Sequence, residues 1–314
     1  MTGSPRPGVL LMTYGSPASL ERHDVRAYLA RVRGGRQPDA ELVDEFTRRY
    51  RVIGGSPLIE ITRRQAAHLA GALGWPVQAG MRFSEPSIEA GLRALADAGV
   101  TKVAAIILSP QFSPLLMNGY AIAIDAACTT LADGAPEVVL AGAWHDEPAF
   151  VAALARRVIE ALESLPPEAR ARAHVLMTAH SLPQRVAEQE PEYLAQLRAT
   201  GQTVAARAGL SDRDWAFCWQ SAGHEPGEWM KPDFADLMPA IAVSGQNAVV
   251  VAPVQFLADH LEILYDVDIG AREQAETHGL TFSRIASFNA HPDLIQALTA
   301  VARRTISTGR AVEA

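Results

Sequence analysis

The sequence predicts an α/β protein made of two similar domains, each a parallel four-stranded sheet flanked by helices. Short apolar runs bounded by turn residues alternate with stretches of helical period along the whole 314-residue chain. Strands that alternate with helices imply parallel sheets with right-handed crossovers. The same rhythm starts again near residue 145, which predicts one domain over 1–145 and a second over 146–314, whose last helix has the option of packing back on the first.

In the first half, Gly8 to Tyr14 is a strand closed by Gly15-Ser16-Pro17. Helical patterns follow around 19–33, 39–51 and 57–73, with Arg/Gly/Pro breaks between them. Trp75 to Met81 is a weaker strand, and Ser87 to Ala98 a helix stopped by Gly99. Lys102 to Leu108 is a strong strand, 116–131 a helix, and Glu137 to Ala141 a strand.

From Glu147 a helix runs to about Leu165, followed by the apolar strand His174 to Met177, a helix near 191–208 and the strand Trp215 to Gln220. A helix precedes Ser244-Gly245, and Asn247 to Val254 is another buried strand. The following segment, 256–268, has apolar residues at helical spacing. Leu280 to Arg284 is a last strand and 293–308 a last helix.

Composition narrows the classes of function. Nearly half the residues are hydrophobic (48%), and the formal charge of −7 argues against a polyanion such as nucleic acid as the main partner. The N-terminal apolar run is too short for a signal peptide, and no segment approaches the ~20 apolar residues of a spanning helix, so a soluble cytoplasmic protein is expected and not an integral membrane protein. Cys128 and Cys218 are the two cysteines; they cannot supply the four thiolates of an iron–sulfur cluster, and a reducing compartment would leave them free.

Two stretches carry candidate chemistry. Thr178-Ala179-His180-Ser181-Leu182-Pro183 follows a buried strand, and ligands of open α/β sheets collect just beyond the carboxyl ends of strands. These residues alone leave two readings open for His180: a functional imidazole, or a strand-end histidine bonded to nearby backbone. Asp259, Glu262 and Asp266 are three and four apart, so a helix would stack them on one face. Such a column is either a solvated acidic face or a set of carboxylates offered to a metal or to protons in transit. The first strands of the two halves end in Tyr14 and His180, and domains of this kind are expected to face a cleft with their strand ends.

At this point the residues resemble a known family. Leu11 to Pro17, Arg49 to Leu58, Ser109 to Ser113, Thr178 to Pro183, Trp219 to Gly223 with Trp229, and Val251 to Asp268 resemble, in order, the motifs of ferrochelatases, which insert ferrous iron into a porphyrin. The resemblance spans nearly the whole chain and implies two Rossmann-like domains of chelatase-like fold. It implies His180 and Glu262 as the catalytic pair that faces the porphyrin nitrogens and binds incoming Fe²⁺. The reading further expects an imidazole from one half of the molecule and an acid from the other to close on one shared cavity. Tyr14 resembles the tyrosine of the coproporphyrin III branch, where it is an axial ligand of product iron. Arg33, Arg49, Tyr50, Ser56 and Tyr120 resemble positions that contact propionates or the macrocycle. Gly34 stands where the branch often has a second arginine, and Gly270 where some members carry another acid, which puts a secondary metal site near Asp266 in doubt.

The residue types suit that chemistry. A metal meant to be handed over needs a sparse site with open positions, and one imidazole with one carboxylate is such a site for Fe²⁺. Insertion releases two protons, and a neutral His180 is within the range of groups that accept one near pH ~6.5. Arginine binds carboxylates with a planar fork, although Arg33 and Arg49 also fit plain helix-surface charges. Pro110, Phe112 and Trp229 are candidate packing surfaces for the macrocycle, or ordinary packing residues. His23, His68, His174, His278 and His291 have no partner at metal spacing, His224 reads as a surface loop residue, and His260 points away from Glu262 on a regular helix.

The leading expectation is thus a lyase, a coproporphyrin III ferrochelatase, with a protoporphyrin IX enzyme, a cobalt or nickel chelatase and a porphyrin or haem carrier as alternatives. No cofactor beyond substrate Fe²⁺ is expected, and partners are the porphyrin, iron and, transiently, neighbouring haem-pathway enzymes. Tyr14-Gly15-Ser16-Pro17 after the first strand replaces the glycine-rich phosphate turn, so no nucleotide is expected.

Overall fold

The computed structural model describes residues 5–223 and 227–309, which leaves His224 outside the described residues. The chain divides into two compact units. Unit 1 is Met1–Trp144, Ala258–Leu261 and Asn289–Ala314; unit 2 is His145–Leu257 and Glu262–Phe288.

Unit 1 runs β1 (Pro7–Thr13), α1 (Arg22–Val32), α2 (Ala40–Val52), α3 (Leu58–Leu73), β2 (Val77–Met81), α4 (Ile88–Asp97), β3 (Lys102–Ile107), α5 (Pro114–Leu131) and β4 (Glu137–Leu140). Its parallel sheet has the order β2-β1-β3-β4. The strands read as unbroken apolar runs because both faces are covered, as parallel sheets require. Leu10, Met12, Val103 and Ala105 pack with Leu92 and Leu95 of α4 and with Met117 and Ile124 of α5. Helix starts are set by side chains: Ser87 Oγ accepts from Ala90 N (3.2 Å), and Ser113 Oγ accepts from Leu116 N (2.9 Å) just ahead of Pro114. The chain's last helix, Pro292–Thr308, packs on α3 and β3 within the same unit.

Unit 2 runs α6 (Pro148–Ser164), α7 (Pro167–Arg170), β5 (Ala173–His180), α8 (Gln184–Ala187), α9 (Pro191–Arg207), β6 (Trp215–Gln220), α10 (Phe234–Val243), β7 (Ala248–Pro253), a π-helix (Glu262–Ala271), α11 (Arg272–Thr277) and β8 (Thr281–Arg284). The sheet order β6-β5-β7-β8 repeats that of unit 1, again all parallel. In each sheet the chain steps to one side of its first strand and then to the other. The topological switch point therefore lies between β1 and β3 in unit 1 and between β5 and β7 in unit 2, and ligands of open α/β sheets bind outside the strand ends there.

Three sequence expectations are corrected. The segment 256–268 is not one α-helix: Asp259 precedes the helical part, and Glu262–Ala271 is wound as a π-helix whose Ile263 and Val267 enter the unit 2 core. Asp259, Glu262 and Asp266 thus form no continuous column, since Asp259 is not on the helix that carries the other two. The stretch Pro114–Gly134 does reach the length and hydropathy of a membrane span, although Met117, Tyr120, Ile124 and Ala127 of its inner face belong to the unit 1 core.

Candidate functional site

His180 is the last residue of β5, and Glu262 opens the π-helix that follows β7, so both lie beside the switch point of unit 2. This corrects the expectation that acid and imidazole come from different halves: both belong to unit 2. His180 Nε2 and Glu262 Oε2 are 3.8 Å apart, and the two side chains are 31% and 32% exposed.

The imidazole is oriented by its other nitrogen. His180 Nδ1 lies 2.5 Å from the carbonyl oxygen of Ser181, and because that oxygen only accepts, Nδ1 carries the proton. Neutral His180 therefore presents a lone pair at Nε2. Opposite it, Glu262 Oε2 is buried and has no hydrogen-bond partner among the described residues. Two electron-pair donors thus face one another at a distance beyond a hydrogen bond, an arrangement completed by a proton or a cation between them.

The chain around His180 is fixed by two glutamines, one from each flanking side. Its N–H donates to Gln255 Oε1 (2.9 Å), whose Nε2 donates to Tyr193 Oη (2.6 Å). Ser181 N–H donates to the Gln220 carbonyl (2.7 Å), and Thr178 Oγ1 donates to Gln220 Oε1 (2.6 Å). Trp229 stands beside the imidazole, ring centroids 6.4 Å apart, and is held by an antiparallel bridge to Pro183. Gly223 makes room for it: a Cβ there would lie 2.7 Å from the Trp229 ring. Gln255 and Gln220 lie within two of the quoted motifs, but the sequence assigns neither a role of its own. Their local signal is a glutamine at or just past the end of a strand, which says nothing about which group it will bond.

The π-helix is tied down at its far end. Arg284 of β8 clasps Asp268 with Nε–Oδ1 at 2.7 Å and Nη2–Oδ2 at 2.8 Å, while Arg284 Nη1 also donates to the Ile285 carbonyl and Ser287 Oγ. A planar fork on a carboxylate fixes angle as well as distance.

The remaining expected site residues lie in unit 1. Tyr14 follows β1 and is 47% exposed. It meets Tyr120 of α5 edge-on at 6.3 Å, so these two come together. Tyr120 is buried, and desolvation pushes its phenol well above its ordinary value, helped by Tyr14 and opposed by Arg82. Arg82 is a residue the sequence reading missed. Its guanidinium lies over the rings of Phe83 (4.7 Å), Tyr120 (5.3 Å) and Tyr14 (5.9 Å). It fits only because position 119 is glycine; a Cβ there would overlap Arg82 Nη2 at 1.7 Å.

Arg33 caps the carboxyl end of α1, its N–H bonded to the Leu29 carbonyl, and its buried Nε has no hydrogen-bond partner among the described residues. Arg49 of α2 is paired with Glu45 one turn earlier (2.7 Å) and lies over the Phe46 ring. Hydrogen bonds from Arg48 and Arg49 hold the Glu45 carboxyl down to about 2. Tyr50 is buried, and Ser56 Oγ accepts from Leu58 N (3.4 Å) at the start of α3. Among the described residues no three His, Cys, Asp or Glu side chains gather as a metal cage.

A doubly repeated parallel sheet with an imidazole and a carboxylate opposed at a strand-end switch point is a chelatase-type α/β protein. The ferrochelatase family profile matches residues 6–306. A ferrochelatase of Deinococcus radiodurans is 38% identical over 303 residues, 95% of each chain. A coproporphyrin III ferrochelatase of Geobacillus sp. (strain WCH70) is 35% identical over 308 residues, 95% of this chain and 97% of that one. SirB from Bacillus subtilis, solved with Fe³⁺, superposes with a TM-score of 0.59 over 98% of each chain at 12% identity, a likeness of fold. The chain belongs to the ferrochelatase family. It is a metal chelatase, an enzyme of the lyase class.

Proposed function

We propose that this chelatase inserts Fe²⁺ into coproporphyrin III in haem synthesis, with release of two protons, and that His180 and Glu262 carry the step. The observation that supports this most is the opposed pair, His180 Nε2 and Glu262 Oε2 at 3.8 Å. With Nδ1 committed to the Ser181 carbonyl, Nε2 is the nitrogen that receives a pyrrole proton or holds the arriving ion. Glu262 supplies the negative charge that neutralises the imidazolium or the metal. Two protein donors leave most of the iron's coordination positions open, as transfer to the macrocycle demands. The reading includes no cofactor beyond the substrate metal, since the two cysteines of the sequence are too few for the four thiolates of an iron–sulfur cluster.

The choice of coproporphyrin is supported by the name of the Geobacillus relative and by Tyr14, a half-exposed phenol after β1 suited to bind the iron of the product. Arg33, Arg49, Tyr50, Ser56 and Tyr120 are assigned to the propionates and the macrocycle edge. Arg49 must then exchange or share its Glu45 contact when a propionate arrives. The enzyme works in the cytoplasm, handing its product to a neighbouring haem-pathway enzyme.

The test is anaerobic absorbance of purified protein with Fe²⁺ and, side by side, coproporphyrin III and protoporphyrin IX. Conversion of the coproporphyrin spectrum at a clearly higher kcat/KM supports the reading. Equal rates with both porphyrins would remove the coproporphyrin assignment. Porphyrin binding with no metal insertion would make the protein a carrier.

A further inference from the structure

The register of β5 with β7 ends at Thr178 opposite Pro253, and Val254 N–H donates to the Thr178 carbonyl (2.9 Å). β7 stops at Pro253, while β5 runs on to His180. Alternate residues of a strand turn their backbone groups to the same neighbour, so the next donor on this side of β5 is the N–H of His180. A side chain meets it: Gln255 Oε1 accepts at 2.9 Å. An N–H only donates, so the atom facing it is the amide oxygen, and the amide nitrogen is the one turned to Tyr193 Oη (2.6 Å). Tyr193 is buried on α9, which packs on β5.

On the other side of β5, Ser181 N–H donates to the Gln220 carbonyl (2.7 Å). The two peptide planes that flank the His180 Cα are therefore both tied, one by a side chain and one by main chain. Peptides are planar, so φ and ψ are the soft rotations at a residue. Tying both planes sets both angles, and with them the direction in which the imidazole leaves the chain.

We infer that Gln255 is a positioning residue for His180, and that Tyr193 serves by holding the Gln255 amide with its oxygen toward the His180 N–H. The inference rests on His180 being the working imidazole. Gln255, Tyr193 and His180 all belong to unit 2. A glutamine side chain has several rotamers, and the bond at its nitrogen selects one that places its oxygen where β7 has ended. A displacement of about 1 Å at a reacting group is enough to cost on the order of 10²-fold in rate. Neither residue is assigned a contact with substrate; both act through the backbone of His180.

Two variants separate the parts. Gln255→Met keeps the length of the side chain and loses both hydrogen bonds. Tyr193→Phe leaves Gln255 in place and removes the acceptor of its Nε2. These, their double variant and the wild type are compared as full-length proteins. The measurements are steady-state iron insertion, porphyrin affinity by fluorescence quenching, and hydrogen–deuterium exchange of the segment that contains the His180 N–H.

Gln255→Met is expected to lower kcat by about 10-fold or more and to speed exchange in the His180 segment, with porphyrin affinity within about 3-fold of wild type. Tyr193→Phe is expected to lower kcat by at least about 3-fold, and the double variant to fall no more than about 2-fold below Gln255→Met, since Tyr193 acts through the amide. Unchanged kcat in Gln255→Met would overturn the inference. So would porphyrin affinity that falls in step with kcat, which marks a general loss of structure. Losses that multiply in the double variant would overturn the part given to Tyr193. If Gln255→Met does not fold, Tyr193→Phe decides, and unchanged kcat there overturns the inference. Full activity in His180→Ala, by contrast, would remove the role of His180 in the proposed function, while faster exchange in Gln255→Met would still report the tie to its backbone.

Discussion

His180 Nε2 and Glu262 Oε2 face each other across 3.8 Å with no hydrogen donor between them when the imidazole is neutral and the acid ionised. The cause is the Ser181 carbonyl, which takes the imidazole proton to the far side of the ring. A strand-end histidine bonded to nearby backbone and a functional imidazole were alternative readings of His180. Here the backbone bond is what aims the other nitrogen.

Removing either member should therefore abolish insertion without abolishing binding. His180→Ala and Glu262→Gln are expected to lower kcat by about 10²–10⁴-fold. Porphyrin affinity, read by fluorescence quenching, should change by no more than about 3-fold, since neither side chain is assigned to the propionates. Loss of porphyrin binding in parallel with kcat would place these residues in substrate recognition instead.

Gly223 should be sensitive to a single methyl group. A Cβ would lie 2.7 Å from one Trp229 ring atom and 3.0 Å from another, and an indole cannot bend away as a flexible side chain can. Gly223→Ala is expected to cost about 1–3 kcal/mol in stability and to shift the Trp229 ring beside His180. A changed tryptophan emission spectrum with lowered kcat is the expected pair of observations.

The Arg284–Asp268 clasp predicts a different sensitivity. Arg284→Lys keeps the charge and loses the fork, so it should lose about 1–2 kcal/mol, while Arg284→Ala should lose about 2–3 kcal/mol, the pair being only partly screened. Urea unfolding of the two variants checks the order. Equal losses would mean that charge alone holds the end of the π-helix.

Stability should also fall as pH drops below about 6.5, through His174. Burial lowers its pKa, with the Arg213 backbone bond and Asp214 opposing. Gln246 Nε2 donates to its Nδ1 (3.0 Å), since Gln246 Oε1 accepts from Ser244, so the native state favours the neutral ring. A folded pKa below the unfolded one means the unfolded chain binds the extra proton. The contribution is present above the unfolded pKa and is lost as pH falls toward the folded value, with a slope of at most about 1.4 kcal/mol per pH unit. Urea unfolding from pH 7.5 to 5 should show this loss in the wild type and a flatter profile in His174→Gln.

What the sequence made legible follows physical lines. The strands β5 and β7 could be read because both faces are buried, which turns them into unbroken apolar runs such as Val249-Val250-Val251. His180 could be placed at a strand end because Pro183 forbids the ladder to continue. The winding after β7 could not be read. Apolar residues at three- and four-residue spacing serve an α-helix and a π-helix alike, and what separates Asp259 from Glu262 is its bond to Asn289, 30 residues away. Arg82 was silent for the same reason, since its berth is a missing side chain at a distant position, Gly119 of α5.

The pair has one more consequence. An imidazole and a carboxylate, without a third protein donor of their kind gathered nearby among the described residues, form a site with little power to discriminate. Divalent ions of the first transition row compete for such donors in an order that ranks copper and zinc above ferrous iron. Choosing iron must therefore be the work of whatever governs which ion arrives, and fidelity in this enzyme is a matter of traffic more than of grip.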